Sequence, residues 1–147
     1  MREEIFNLRT AVTEPNSFFD TLQEYLAEYR THYGVNVELL VDGLQLGEFD
    51  GETSSQLLRI IQEALGNVRK HSGASFVQVH FHQEGDQVLV CIEDNGLGFV
   101  PSQATESNGQ HYGLQIMRER AESVGGSLTL DSLPGQGTRV LVRVPAG

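Results

Sequence analysis

The chain has 147 residues, of which 39% are hydrophobic and 20% charged, and this is typical of a single soluble globular domain. Its net charge of −10, from 20 acidic and 10 basic side chains, would repel nucleic acid and anionic membranes, so we expect neither as a partner. No apolar run approaches the ~18 residues of a membrane span. The single Cys91 excludes an internal disulfide, and we expect a cytoplasmic protein.

The first third of the sequence predicts two helices and a strand. Residues 1–12 carry apolar side chains among charges and predict a helix that ends before Pro15. Apolar residues spaced near 3.6 predict a second helix over residues 17–33, which Gly34 would end. The alternating β-rich run over residues 35–41 predicts a strand.

The middle of the sequence predicts a long helix followed by a hairpin. Thr53 and Gln56 resemble a capping box, and a wide apolar stripe predicts a helix from Thr53 to His71. Two alternating segments, residues 75–82 and 87–93, flank a Glu-Gly-Asp turn and predict two paired strands.

The last third predicts a loop, a helix and a second pair of strands. Residues 100–110 are polar and without period, which predicts a loop and a candidate lid. A helix is expected over residues 112–124, and strands over residues 127–131 and 138–144. Helices and a mixed, mostly antiparallel sheet in this order favour a two-layer α/β sandwich, with the sheet packed against the helices.

Four polar side chains share one side of the long helix at 100° per residue: Glu63, Asn67, Lys70 and His71. A carboxylate can orient or deprotonate a water or a hydroxyl. An amide oxygen suits Mg²⁺, which takes few protein ligands beside phosphate oxygens, and lysine and histidine donate to phosphate. A solvated helix face is the alternative, and this helix alone leaves it open.

Three glycine-bearing segments follow. Asp94 ends an alternating strand, where its carboxylate can accept from an exocyclic amine, while Gly96 and Gly98 let the backbone approach a planar ring. An ordinary Asn-Gly turn is the alternative. Gly113 lies just inside a helix start, where N–H groups can face phosphates, or it belongs to a plain loop-to-helix junction. Thr138 begins a strand after a glycine turn, which by itself is only a hairpin signal.

The order of these segments resembles the ATP-binding domain of sensor histidine kinases, which belongs to the Bergerat-fold superfamily. Residues 62–72 resemble its N box, residues 94–98 its G1 box, and residues 113–114 its G2 box. The phrase over residues 112–121, Tyr-Gly-Leu-Gln-Ile-Met-Arg-Glu-Arg-Ala, is similar to the nitrate/nitrite-sensor subfamily, whose partners are LuxR-type response regulators. The likeness is strong from Val35 to Pro145 and weak before it.

The resemblance implies a role for each matching residue. Glu63 would be the general base or water-orienting carboxylate, Asn67 the Mg²⁺ ligand, and Asp94 the acceptor from the adenine amino group of ATP, with Thr138 assisting through water. The remaining nucleotide contacts would come from Lys70 and His71 at the phosphates, from the backbone at Gly96, Gly98 and Gly113, and from His111, Tyr112 and Leu114 where a lid over residues 100–112 meets the helix.

The resemblance also implies the surroundings of this domain. Residues 1–34 would be the end of a dimerisation helix and a connecting helix, and residues 35–147 the ATP-binding domain. None of the five histidines has the family's phosphoacceptor context, so the phosphate would go to a histidine on a dimerisation domain outside this sequence. The chain is expected to be monomeric and the parent kinase homodimeric, with its membrane anchorage left open.

Two other functions fit the same residues. A non-catalytic nucleotide-binding module would use the same pocket, but the intact Glu63 and Asn67 count against it. A serine kinase of the anti-sigma-factor type shares the fold, but the phrase over residues 112–121 counts against that class.

Overall fold

The computed structural model describes residues 17–42, 51–69, 73–96, 110–132, 135 and 137–145, without the side chains of residues 17 and 110–113. These residues form three helices and five strands. In chain order they are α1 (Ser17–Tyr33), β1 (Asn36–Asp42), α2 (Gly51–Asn67), β2 (Phe76–Glu84), β3 (Gln87–Asp94), α3 (Gln110–Ser123), β4 (Ser127–Ser132) and β5 (Thr138–Pro145). No helix of the described part is long and apolar enough to cross a membrane.

The strands form one sheet in the order β1-β2-β3-β5-β4. β1 and β2 pair in parallel, which requires a long connection, and α2 lies in it. The other three pairs are antiparallel, and two of them join strands that are consecutive in the chain. The sheet is therefore mixed and mostly antiparallel, as predicted.

The helices and one face of the sheet enclose a single core. Alternate residues of β2, β3 and β5 are fully or almost fully buried on this face, as strand geometry requires. Each helix contributes buried side chains to the same core, among them Phe18, Leu22 and Tyr29 of α1, Leu57 and Ile61 of α2, and Met117 of α3. The architecture is the two-layer α/β sandwich that the sequence predicted.

The predicted elements are confirmed with small shifts at their ends. α1 has the bounds expected, and Gly34 ends it at φ +69°, with its N–H donating to the Arg30 carbonyl over 3.0 Å. β1 is shifted by one residue, and α3 begins two residues before the predicted start at Tyr112. The helix expected over residues 1–12 and the loop before Gln110 lie outside the described residues.

The capping box predicted at the start of α2 is wrong. The helix begins at Gly51, so Thr53 is its third residue and is buried rather than the N-cap. The side chain of Gln56 accepts a hydrogen bond from Nη1 of Arg120 in α3 over 3.1 Å. The Gln56 side chain therefore bonds Arg120, a residue distant in the sequence, instead of the backbone at the start of its own helix.

Candidate functional site

At one end of the sheet, the face that packs against the helices carries a row of polar side chains. The register aligns Ser132 of β4, Thr138 of β5 and Asp94 of β3 across three neighbouring strands, and we call these three residues the polar row. The next row toward the middle of the sheet is apolar and consists of Leu130, Val140 and Ile92. The polar row therefore lies where the hydrophobic core ends.

Asp94 is the last residue of β3 and is only 8% exposed. Its Oδ1 accepts from the Gly96 N–H over 2.7 Å, and the Thr138 N–H also hydrogen-bonds the carboxylate. Burial raises the pKa of the Asp94 carboxyl above its ordinary value, while these two hydrogen bonds lower it. The carboxylate is thus held in one orientation as an acceptor, in the position predicted for it at the strand end.

Gly137 brings β5 unusually close to Asp94. Its φ is +82°, and a Cβ built on it would lie 2.2 Å from the Asp94 backbone oxygen. Gly135 has nearly the same φ, +81°, but has open space where a Cβ would stand. Only glycine therefore allows the β4–β5 turn to lie against the end of β3.

This difference gives a matched pair of variants. Gly135→Ala carries only the conformational cost of a positive φ, about 1–2 kcal/mol. Gly137→Ala adds an overlap with backbone, so we expect it to lower the free energy of unfolding by a further ~2 kcal/mol or more. Urea unfolding of both variants measures the difference, and equal midpoints would show that the close approach at Gly137 has no energetic weight.

Asn95 fixes the turn after Asp94 to the start of β2. Its Oδ1 accepts from the backbone N–H groups of Ser75 and Phe76 over 3.0 and 3.1 Å. Its Nδ2 donates to the Ser75 hydroxyl, and its own N–H donates to the Phe76 carbonyl. The Asp-Asn-Gly sequence predicted a turn, but this cross-strand role of Asn95 was not predicted. The start of β2 is consequently held beside the turn that follows Asp94.

The last turns of α2 carry Glu63 and Asn67, both half-buried and one helical turn apart. The hydroxyl of Tyr29 in α1 donates to the Leu65 carbonyl over 2.7 Å. After Asn67 the helix widens into a π turn at Val68 and Arg69. This part of α2 is therefore attached directly to α1.

Arg69 and Asp94 both act on the Tyr29 hydroxyl. The Arg69 guanidinium lies 4.7 Å from the centre of the Tyr33 ring. Burial raises the pKa of the Tyr29 hydroxyl, the positive charge of Arg69 lowers it, and the Asp94 carboxylate raises it. The Tyr29 hydroxyl therefore lies in a buried environment that carries charge, and it joins α1 to the last turns of α2.

The other candidate residues are only partly described. The backbone of His111, Tyr112 and Gly113 forms the first turn of α3, and Leu114 after them is 9% exposed and belongs to the core. Lys70, His71 and Gly98 lie outside the described residues. The structure thus brings together Asp94, Gly96 and Thr138, and it places Glu63 and Asn67 on the last turns of α2.

Comparison with known proteins identifies the class to which this architecture belongs. Residues 52–147 match the family of histidine kinase-, DNA gyrase B- and HSP90-like ATPases, and the chain belongs to this family. Two solved structures of a blue-light activated histidine kinase from Erythrobacter litoralis share its fold. The histidine kinase domain has a TM-score of 0.70 at 22% identity over 98% of this chain and 68% of the other. The second has a TM-score of 0.67 at 24% identity over 90% and 42%.

The sequence relatives are sensor kinases. The chain is 33% identical to the histidine-protein kinase/phosphatase DegS of Brevibacillus brevis, over 99% of this chain and 36% of that protein. It is 34% identical to the sensor histidine kinase LiaS of Bacillus subtilis, over 99% and 39%, and 37% identical to the nitrate/nitrite sensor NarX of Escherichia coli, over 97% and 23%. The chain therefore spans less than two-fifths of these relatives, and corresponds to their ATP-binding catalytic domain.

Proposed function

We propose that this domain binds ATP with Mg²⁺ and transfers the γ-phosphate to a histidine on a separate dimerisation domain. The observation that carries the proposal is the Asp94 carboxylate, which is buried at the end of β3 and held by two backbone N–H groups. A buried carboxylate needs a partner for its remaining lone pairs, and an adenine amino group is a suitable donor.

The polar row and the backbone at three glycines supply the site for the adenine base, which we call the base site. Asp94 accepts from the 6-amino group, and Thr138 assists through a water. Gly96, Gly98 and Gly113 give the nucleotide access to the backbone. The contacts completing this site are proposed for His111, Tyr112 and Leu114 at the start of α3.

The end of α2 supplies the phosphate site. The amide oxygen of Asn67 is half-buried and is a hard donor, which fits Mg²⁺ held by one protein ligand with water and phosphate oxygens. When bound, Mg²⁺ would neutralise charge on the phosphates. Lys70 and His71 donate to those phosphates, and Glu63 accepts the proton or orients the nucleophile.

The relatives suggest the surroundings of the domain. Residues 1–34 are proposed to be the end of a dimerisation helix and a connecting helix, and residues 35–147 the ATP-binding domain. α1 lies in the first of these segments and packs into the core formed with the second. The partners are a dimerisation domain and, downstream, a response regulator, for which we propose the LuxR type from the likeness to NarX. The domain is proposed to be cytoplasmic and monomeric, within a homodimeric parent.

Phosphate transfer tests this proposal. The chain is incubated with γ-labelled ATP and Mg²⁺, alone and with the histidine-bearing dimerisation domain of the DegS relative. We expect acid-labile label on the added domain and none on this chain. Label on one of the chain's own five histidines would contradict the proposed acceptor. Acid-stable label would indicate a serine kinase, and nucleotide binding without any transfer to several such domains would indicate a non-catalytic module.

A further inference from the structure

Ser132 is a buried hydroxyl beside the base site with no role assigned so far. It ends β4 and is 8% exposed. Its Oγ lies 3.1 Å from the Gly137 carbonyl oxygen, to which it donates, and 2.9 Å from Oγ1 of Thr138. The hydroxyl is thus buried and hydrogen-bonded, as buried polar groups are, and its bonds fix the orientation of its neighbour Thr138.

The two contacts determine where the protons lie. A serine hydroxyl has one proton, and a carbonyl oxygen can only accept. Because the Ser132 proton goes to the Gly137 carbonyl, the Thr138 hydroxyl must donate to Ser132 Oγ. The remaining lone pairs of Thr138 are then the only hydrogen-bonding capacity that its side chain can offer elsewhere. Thr138 therefore acts toward a ligand as an acceptor.

We infer that Ser132 is a positioning residue that makes the base site selective for 6-aminopurine nucleotides. The inference rests on the proposed nucleotide binding. Asp94, the neighbour of Thr138 in the polar row, is also an acceptor when ionised. Two adjacent acceptors suit a 6-amino group, directly or through a water that this group orients. They disfavour a 6-oxo group, which is itself an acceptor.

Removing the Ser132 hydroxyl is expected to relax this selection. In Ser132→Ala the Thr138 hydroxyl has lost its acceptor and can turn its proton toward a 6-oxo group. We expect the ratio of the dissociation constant of inosine diphosphate to that of ADP to fall by about 5- to 10-fold, which corresponds to one hydrogen bond. A purely structural role in the β4–β5 turn would weaken both nucleotides equally and leave the ratio unchanged.

Calorimetric titration with both diphosphates and Mg²⁺ tests the inference. Ser127→Ala, on the exposed start of the same strand, is the control and should keep the wild-type ratio. Ser132→Cys is the second variant, for use if the alanine variant does not fold. It fills about the same space with a weaker donor and should give a ratio between the wild-type value and the value expected for Ser132→Ala. In a Thr138→Val background, Ser132→Ala should no longer change the ratio.

Three results would overturn the inference. An unchanged ratio in both Ser132→Ala and Ser132→Cys would make Ser132 a structural residue. A ratio that still falls in the Thr138→Val background would show that Ser132 acts by another route. If the wild-type chain binds neither diphosphate, the proposed nucleotide site is rejected as well. If it binds ADP tightly and the Ser132 variants leave the ratio unchanged, only the inference is rejected.

Discussion

Asp94→Asn is expected to weaken ADP binding by about 100-fold while the protein stays folded. The asparagine keeps the shape of the side chain, but its amide group offers one acceptor oxygen and a donor in place of a carboxylate. The Gly96 and Thr138 N–H groups compete for that oxygen, so the NH₂ group is left facing the adenine amine. Calorimetry measures the loss of affinity, and thermal unfolding checks the fold.

Acidification should have the same effect on the wild type. The pKa of the Asp94 carboxyl is raised by burial, so the carboxylate is protonated at a higher pH than an ordinary aspartate. ADP affinity is therefore complete above the raised pKa and falls as the pH drops through it. The effect of this carboxyl on stability is the opposite. The folded state binds the proton more tightly than the unfolded state, so acid favours folding as the pH falls from the raised pKa to the ordinary pKa of aspartate.

Glu93→Gln is the matched control for both measurements. It removes the same charge one residue earlier, where the side chain is exposed and pairs with Arg139 over 3.7 Å. We expect it to bind ADP within about 2-fold of the wild type and still to lose affinity on acidification. The fall should move slightly to lower pH, because the Glu93 charge raises the pKa of the Asp94 carboxyl. If Asp94→Asn also binds ADP normally, Asp94 is a turn residue and the base site lies elsewhere.

Glu63→Gln is expected to slow phosphate transfer by about 100- to 1,000-fold while ADP affinity changes by less than about 3-fold. A glutamine retains the size and shape of the side chain, but it cannot take a proton. An interaction that acts only in the transition state lowers the rate without weakening the ground-state complex. The rate of acid-labile labelling of the dimerisation domain measures transfer, and calorimetry measures binding.

Glu52→Gln, an exposed carboxylate in the first turn of the same helix, is the control for this variant and should transfer phosphate at the wild-type rate. If Glu63→Gln transfers as fast as wild type, the carboxylate serves α2 itself, and the general-base assignment is withdrawn. A parallel loss of binding and transfer would instead make Glu63 part of the nucleotide site.

Much of the fold could be predicted because local patterns agree with the tertiary structure. The apolar period of α1 and the glycine after it predict both of its ends, and the alternation that stops at Asp94 predicts a strand end with a polar group. The same alternation predicts which faces of β2 and β3 are buried. These features depend on neighbours in the sequence, so the sequence alone carries them.

The remaining site features depend on partners that are distant in the sequence. The role inferred for Ser132 depends on the pairing of β4 with β5, which aligns it with Thr138. Tyr29 donates to the Leu65 carbonyl across 36 residues. Asn95 was visible as a turn residue, but its bonds to Ser75 and Phe76 require the pairing of β2 with β3. The capping box at Thr53 failed for the same reason, because Gln56 has a partner in α3.

A calorimetric titration of the unmodified chain with ADP and Mg²⁺ shows directly whether the domain binds nucleotide. We expect saturable heat with one nucleotide per chain and a raised melting temperature at the same ligand concentrations. Heat and melting temperature that remain unchanged at millimolar ADP and Mg²⁺ would contradict nucleotide binding, because the buried Asp94 carboxylate and the glycine turn beside it would then have no nucleotide to bind.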